Sequence, residues 1–114
     1  MPLPVSLPPS HPGSGRAGWH LVDLGIDILH NQNVTGAGIR VAVIDTGVYR
    51  ECPVLQHAAI EAYDRDGHAG GDDHHGHGTS MIAILLGEGI GVCPDAHVLS
   101  MVGASRSDQT GPEA

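Results

Sequence analysis

The sequence predicts an α/β fold built on a parallel β-sheet with flanking helices. Residues 39–44 (IRVAVI) and 96–102 (AHVLSMV) are almost continuously apolar, as expected of strands that a parallel sheet buries on both faces. Between them, residues 81–86 (MIAILL) are apolar on every side, which is typical of a buried helix. The order strand, helix, strand implies right-handed crossovers in a parallel sheet.

The first third of the chain leads into the first strand. Residues 1–18 are rich in Pro, Gly and Ser, a composition that predicts a disordered lead-in. From Trp19 to about Asn31, apolar residues recur at three- and four-residue spacings, which predicts a short amphipathic helix. Residues 33–38 (NVTGAG) then indicate a turn into the strand of residues 39–44.

The remaining elements follow the same logic. Residues 58–62 (AAIEA) predict a second short strand, and residues 64–78, rich in Gly, Asp and His, predict a loop. The helix of residues 81–86 is expected to stop at Gly87. We therefore divide the chain into the lead-in, a structured unit at 19–103 and a polar tail at 104–114.

Composition limits the classes of partner. The 114 residues suit one ordinary domain or part of a larger one. Five Lys and Arg against 13 Asp and Glu give a formal net charge of -8, which argues against binding to nucleic acid or to anionic membranes. Cys52 and Cys93 are expected to be ordinary thiols. The first residues do not resemble a secretory signal, so the expected location is cytoplasmic if Met1 is the true start and otherwise unknown.

Asp45 is the first candidate for chemistry. It stands at the carboxyl end of a predicted buried strand and is followed by Thr46 and Gly47. In open parallel sheets, functional residues gather outside the carboxyl ends of the strands. The alternative interpretation is an Asp that only bonds amides of its own turn.

His77 is the second candidate. It lies in residues 72–79 (DDHHGHGT), which lead into the predicted helix, and Gly76 and Gly78 flank it. The alternatives for this cluster are a solvated polar loop or adventitious zinc binding, and we predict no native metal site because a specific site recruits a further ligand from another segment. A strand-end Asp and a helix-start His are what a hydrolase uses to orient an imidazole.

Three motifs together resemble a known family. VAVIDTGV (41–48) resembles the Asp motif of the subtilisin-like serine proteases (subtilases, peptidase S8), and DHHGHGTSMIA (73–83) resembles their His motif. GVCPDAHVLSMV (91–102) is similar to the family segment that leads into a strand, with Cys93 where Ala is usual. The resemblance runs from about residue 19 to 102 and implies the N-terminal part of a subtilisin-like fold.

The resemblance also implies roles for individual residues. Asp45 and His77 take the positions of the catalytic Asp and His of a serine endopeptidase, which would act on a peptide or protein substrate if the site were completed. The supporting residues of the two motifs are Thr46, Gly47, Gly76, Gly78 and Thr79. We find no counterpart of the family's calcium sites, and no cofactor is expected.

The family's nucleophilic Ser and its oxyanion Asn have no counterpart in these 114 residues. Ser80 lies in GTSM (78–81), which spells the start of the Ser motif, but it is only three residues from His77 on the same helix start. In the family the Ser and the His come from different elements. We therefore reject Ser80 as the nucleophile and expect the isolated chain to be inactive.

Two other functions remain open at this point. The chain could be a truncated or degenerate fragment without catalysis that self-associates or binds a complementing chain, because an incomplete sheet exposes an edge and an apolar face. Asp45-Thr46-Gly47 also spells the motif of the dimeric aspartic proteases, in which Asp45 would share a proton with its twin.

Overall fold

The computed structural model describes residues 18–103, so the predicted tail and all of the lead-in except Gly18 lie outside the described residues. The elements are two short helices, α1 (Trp19–Asp23) and α2 (Ile26–Asn31), strand β1 (Arg40–Asp45), a 3₁₀ turn (Pro53–Leu55), strand β2 (Ala59–Tyr63), helix α3 (His77–Leu86) and strand β3 (His97–Val102). None of the helices in this range has the length and apolar character needed to cross a membrane.

The three strands form one parallel sheet in the order β1-β3-β2. Val98 of the central strand lies opposite Val41 of β1 and Ile60 of β2, which fixes the register on both sides. Both connections cross over within the sheet, as parallel pairing requires. The predicted α/β fold with a parallel sheet and flanking helices is confirmed.

The core lies between α3 and one face of the sheet. Ile82 and Leu86 of α3 are fully buried and belong to the same cluster as Ile60 and Val98. The buried apolar residues of the described range are Val48, Leu55, Ile60, Ala62, Ile82, Leu86, Ala96 and Val98.

The second face of the sheet is less covered than the sequence predicts. Burial alternates along β1, and Ile44 is 70% exposed. The expectation that β1 is buried on both faces is therefore wrong for the described residues. The reason is that α1 and α2 do not lie over the sheet but pack on each other and on the turn after α3.

The predicted single helix from Trp19 to Asn31 is also wrong. Gly25 adopts a left-handed conformation with φ of 76°, which ends α1 and redirects the chain into α2. Two imidazoles then attach these helices to the turn after α3. His20 Nε2 lies 2.8 Å from the carbonyl oxygen of Ile90, and His30 Nε2 lies 2.8 Å from that of Val92.

Helix α3 begins at His77, one turn before the predicted start, so the predicted loop of residues 64–78 is shorter than expected. The helix is also not buried on every side, because Ile84 is 47% exposed and Met81 is 37% exposed. The polar residues at its start read as loop in the sequence. Side chains from outside the helix accept hydrogen bonds from the amides of Gly78 and Thr79 in this first turn.

Candidate active site

Asp45 and His77 meet at the carboxyl edge of the sheet. Asp45 is the last residue of β1 and His77 is the first of α3. The Nδ1 atom of His77 lies 2.9 Å from Asp45 Oδ1 and 3.0 Å from Oδ2. The structure thus brings together the two side chains that the sequence predicts to be catalytic.

This contact defines what the imidazole can do. A carboxylate only accepts, so His77 donates its Nδ1–H to Asp45 and leaves Nε2 to take up a proton. The Asp45 side chain is 18% exposed, whereas that of His77 is 65% exposed. Asp45 Oδ1 also accepts a hydrogen bond from the backbone amide of Thr46 at 2.7 Å. The pair is a held carboxylate beside an accessible base, an arrangement suited to proton transfer.

Two glycines bring the strand end and the helix start into backbone contact. Gly47 has a φ of 110°, and a Cβ there would overlap the carbonyl oxygen of Gly71. A Cβ on Gly78 would overlap the carbonyl oxygen of Gly47. A larger residue at position 78 would push α3 away from the end of β1, and one at position 47 would displace the loop of Gly71 and Asp72 that leads into α3. Both glycines therefore serve the contact between Asp45 and His77.

Asp73 connects to more of the site than the sequence indicates. Its Oδ1 accepts from the amides of His75 (2.9 Å) and Gly76 (2.8 Å) and from the Thr46 hydroxyl (2.8 Å). Its Oδ2 accepts from the amide (2.9 Å) and hydroxyl (2.5 Å) of Thr79. Burial acts to raise the pKa of Asp73, but these hydrogen bonds outweigh it and hold the pKa well below its ordinary value.

Sequence reasoning missed this role because Asp73 counted only as one member of a polar cluster. The available signal was its position three residues before Gly76, the residue that caps α3 without offering a side chain. An acidic side chain just before a helix whose cap is Gly is a candidate to accept the free amides of the first turn.

Thr46 and Thr79 are the hydroxyl residues of the site. Thr46 Oγ1 accepts from the amide of Gly78 at 2.8 Å while donating to Asp73. Thr79 Oγ1 accepts from the amide of Tyr49 at 2.9 Å. Each hydroxyl therefore joins the segment after β1 to the first turn of α3.

Ser80 lies on the first turn of α3, as His77 does. Its hydroxyl donates to the carbonyl oxygen of Gly76 at 2.9 Å, an interaction within its own helix. Its hydroxyl is therefore engaged within α3.

The potential metal ligands that cluster in residues 18–103 do not include His77. Asp64, Asp66 and His68 place one ligand atom each within 4.8 Å of one another, in the loop after β2. Asp64 Oδ1 already accepts from the amides of Asp66 and His68, both at 2.9 Å. Cys52 and Cys93 are free thiols, and burial raises the pKa of Cys93.

The aspartic-protease alternative disagrees with the structure. Proteins of that class are mostly β, whereas this sheet is parallel and carries a helix that delivers His77. The Asp45 carboxylate also meets an imidazole rather than standing free for a second carboxylate.

The comparisons with known proteins agree on one family. Residues 36–113 match the family model described as Peptidase_S8, the subtilase family. The chain is 37% identical over 102 residues to Mycosin-1 of Mycobacterium tuberculosis (strain ATCC 25618 / H37Rv), a match covering 82% of this chain. It is 30% identical over 92 residues to the subtilisin-like protease PopC of Myxococcus xanthus (strain DK1622), covering 70% of this chain.

A solved structure agrees with the sequence matches. The MycP3 protease from the type VII (ESX-3) secretion system superposes with a TM-score of 0.62 and 34% identity, over 83% of this chain. The chain spans 27% of that structure, 22% of Mycosin-1 and 19% of PopC. It therefore corresponds to roughly a quarter or less of each of these proteins.

Proposed function

The chain belongs to the subtilase family, and from that premise we propose that it provides the Asp–His half of the catalytic site of a serine endopeptidase. Asp45 and His77 are the two residues that act. The reaction is hydrolysis of a peptide bond by acyl transfer, and the nucleophilic serine comes from outside these 114 residues.

Each residue has a defined part in this reaction. The serine attacks the peptide carbonyl while His77 Nε2 accepts its proton, and His77 then passes that proton to the leaving amine. Asp45 holds the imidazole with its proton on Nδ1 and stabilises the imidazolium that forms. Donors that stabilise the oxyanion come with the serine, because the Asn that the family uses has no counterpart in these residues.

The observation that carries the proposal is the contact of His77 Nδ1 with both carboxylate oxygens of Asp45, at 2.9 and 3.0 Å. A solvated polar loop gives no reason for a His to point at the end of a strand in another element. The 65% exposure of the His77 side chain supports access by a substrate or by a serine from another segment.

The test supplies the serine. The chain is joined to, or co-expressed with, the serine-bearing segment of a subtilase, and hydrolysis of casein is followed. We expect Asp45→Asn to reduce turnover on the order of 10⁴-fold and His77→Ala to reduce it at least as much. Asp72→Asn is the matched control because Asp72 is exposed and lies in the same loop as Asp73. Full activity in the His77→Ala protein would overturn the proposal.

We also propose that a completing segment covers the open face of the sheet. Ile44 is 70% exposed on that face and Ala42, two residues before it, is exposed too, an arrangement that favours burial against another segment. Size-exclusion chromatography with light scattering tests whether this exposed face drives association in the chain alone, where no completing segment covers it. We expect the chain alone to self-associate and Ile44→Lys to shift it toward the monomer.

A further inference from the structure

We propose that Asp73 is a positioning residue that holds Asp45 and His77 in register, by binding the segment after β1 and the first turn of α3 with one carboxylate. The catalytic meaning of this role depends on the proposed function, but the geometric role does not. It is carried by hydrogen bonds that converge on Asp73 from both sides of the site.

The helix side of this arrangement follows from Gly76. A helix leaves the amides of its first turn without partners inside the helix, and a capping side chain normally accepts one of them. Gly76 occupies the cap position of α3 and has no side chain to offer. Asp73 replaces the missing cap, since its carboxylate accepts from the amides of Gly76 and Thr79. The direction of α3 at His77 is set by these bonds.

The strand side depends on Thr46, the residue directly after Asp45. Its hydroxyl accepts from the amide of Gly78 at 2.8 Å and lies 2.8 Å from Asp73 Oδ1. An amide can only donate, so the hydroxyl proton of Thr46 is directed to the carboxylate of Asp73. Thr46 thus bridges Asp73 and Gly78, the residue directly after His77. Hydrogen bonds therefore link Thr46 and Gly78, the chain neighbours of Asp45 and His77, to Asp73.

Comparison with Asp64 shows that Asp73 is more than an ordinary loop aspartate. Asp64 also accepts two amides, from Asp66 and His68, but both belong to its own loop. The contacts of Asp73 instead reach Thr46, which lies 27 residues earlier in the chain. Thr79, on the helix side, in turn binds the amide of Tyr49. Asp73 therefore joins separate elements, whereas Asp64 shapes one turn.

The test reads the position of the proton on His77 in the 114-residue chain itself, by ¹H–¹⁵N correlation of the imidazole nitrogens with the ring neutral. We expect the unaltered chain to hold the proton on Nδ1. We expect Asp73→Asn to lower the Nδ1–H population about twofold or more, because a freed ring exchanges between both tautomers. Asp72→Asn removes the same charge from the adjacent exposed residue, and we expect it to leave the population unchanged.

Thr46 provides a second pair of variants that removes one contact without touching the carboxylate. Thr46→Val loses the hydroxyl and is expected to lower the Nδ1–H population, whereas Thr46→Ser keeps the hydroxyl and is expected to retain it. The backbone amide spectrum of β3 and α3 shows whether a variant folds. If Asp73→Asn does not fold, the two Thr46 variants decide the question. A merely structural role would change that spectrum without changing the tautomer in folded variants.

Each possible outcome either supports or overturns the positioning role of Asp73. Loss of the Nδ1–H tautomer in Thr46→Val, with rescue in Thr46→Ser, supports the positioning role. An unchanged tautomer in folded Asp73→Asn or in folded Thr46→Val overturns it. The measurement needs no serine and no substrate, so a failure of peptidase activity in the completed protein would count against the proposed function alone.

Discussion

Gly78 of α3 lies so close to Gly47 that a Cβ on Gly78 would overlap the Gly47 carbonyl oxygen. This backbone contact lets the helix that carries His77 approach the strand that carries Asp45. It also leads to a prediction that runs against helix propensity.

Gly78→Ala is expected to destabilise the chain. Ala favours an isolated helix by about 1 kcal/mol over Gly, but the overlap forces a backbone shift that costs about 1–3 kcal/mol. Urea denaturation measures the net change, and Ser80→Ala, at an exposed position on the same turn, should stay within about 0.5 kcal/mol. Increased stability in Gly78→Ala would show that the two backbones are not in contact.

Ser80 is expected to be chemically ordinary. Its hydroxyl donates to the Gly76 carbonyl oxygen within α3, so the purified 114-residue chain should neither react with a fluorophosphonate probe nor hydrolyse casein. Mass spectrometry of the intact chain reads the labelling directly. A Ser80 adduct that disappears in His77→Ala would instead identify Ser80 as a nucleophile activated by His77.

Acidification is expected to weaken the site through Asp73. Its pKa is lower in the folded chain than in the unfolded chain, so the unfolded chain takes up the proton first. The stabilisation is therefore complete above the ordinary Asp pKa of about 4 and declines as the pH falls below it. Asp73→Asn should cost about 1–3 kcal/mol at pH 7 and progressively less below pH 4, by urea denaturation at each pH. Asp72→Asn should show no such pH-dependent difference.

His20 and His30 are expected to hold α1 and α2 in place. Each Nε2 donates to a carbonyl oxygen in the turn after α3, at 2.8 Å. Replacing either His by Ala should cost about 1 kcal/mol and speed amide hydrogen exchange in both helices. His57→Ala is the control. The His57 side chain is 48% exposed, and its Nδ1 lies 4.0 Å from Glu88 Oε1, which is too far for a hydrogen bond. Unchanged exchange in both variants would show that other contacts hold these helices.

The strands were predictable because their signal is local. The apolar residues of β1 and β3 lie within a single segment each, and the structure differs from the predicted bounds by one residue. The break between α1 and α2 was not predictable from periodicity, because it depends on the left-handed conformation of Gly25. The open face of β1 was missed because composition does not tell where α1 and α2 pack.

The site, like the fold, was predictable from the sequence only in part. The motifs around Asp45 and His77 indicated both residues, and the structure places them in contact. The capping part of Asp73's role had a local signal in its position before Gly76, but its bond to Thr46 could not be read from the motif, since Thr46 arrives from another element. The early start of α3 was missed for a related reason, because its polar first turn is stabilised partly by Thr46, which lies 32 residues before Gly78, and partly by Asp73 just before the helix.

The sheet order has a consequence for how the chain assembles during synthesis. In the described sheet, β1 bonds only to β3, so Val41 waits for Val98, which the ribosome adds about 57 residues later. Pairings so distant in sequence form slowly, because a long loop must close first. Asp45 is made before every other part of the site, yet its strand is secured only after β3 has emerged. A nascent chain halted before Val98 would carry both His77 and Asp45 without the scaffold that aligns them.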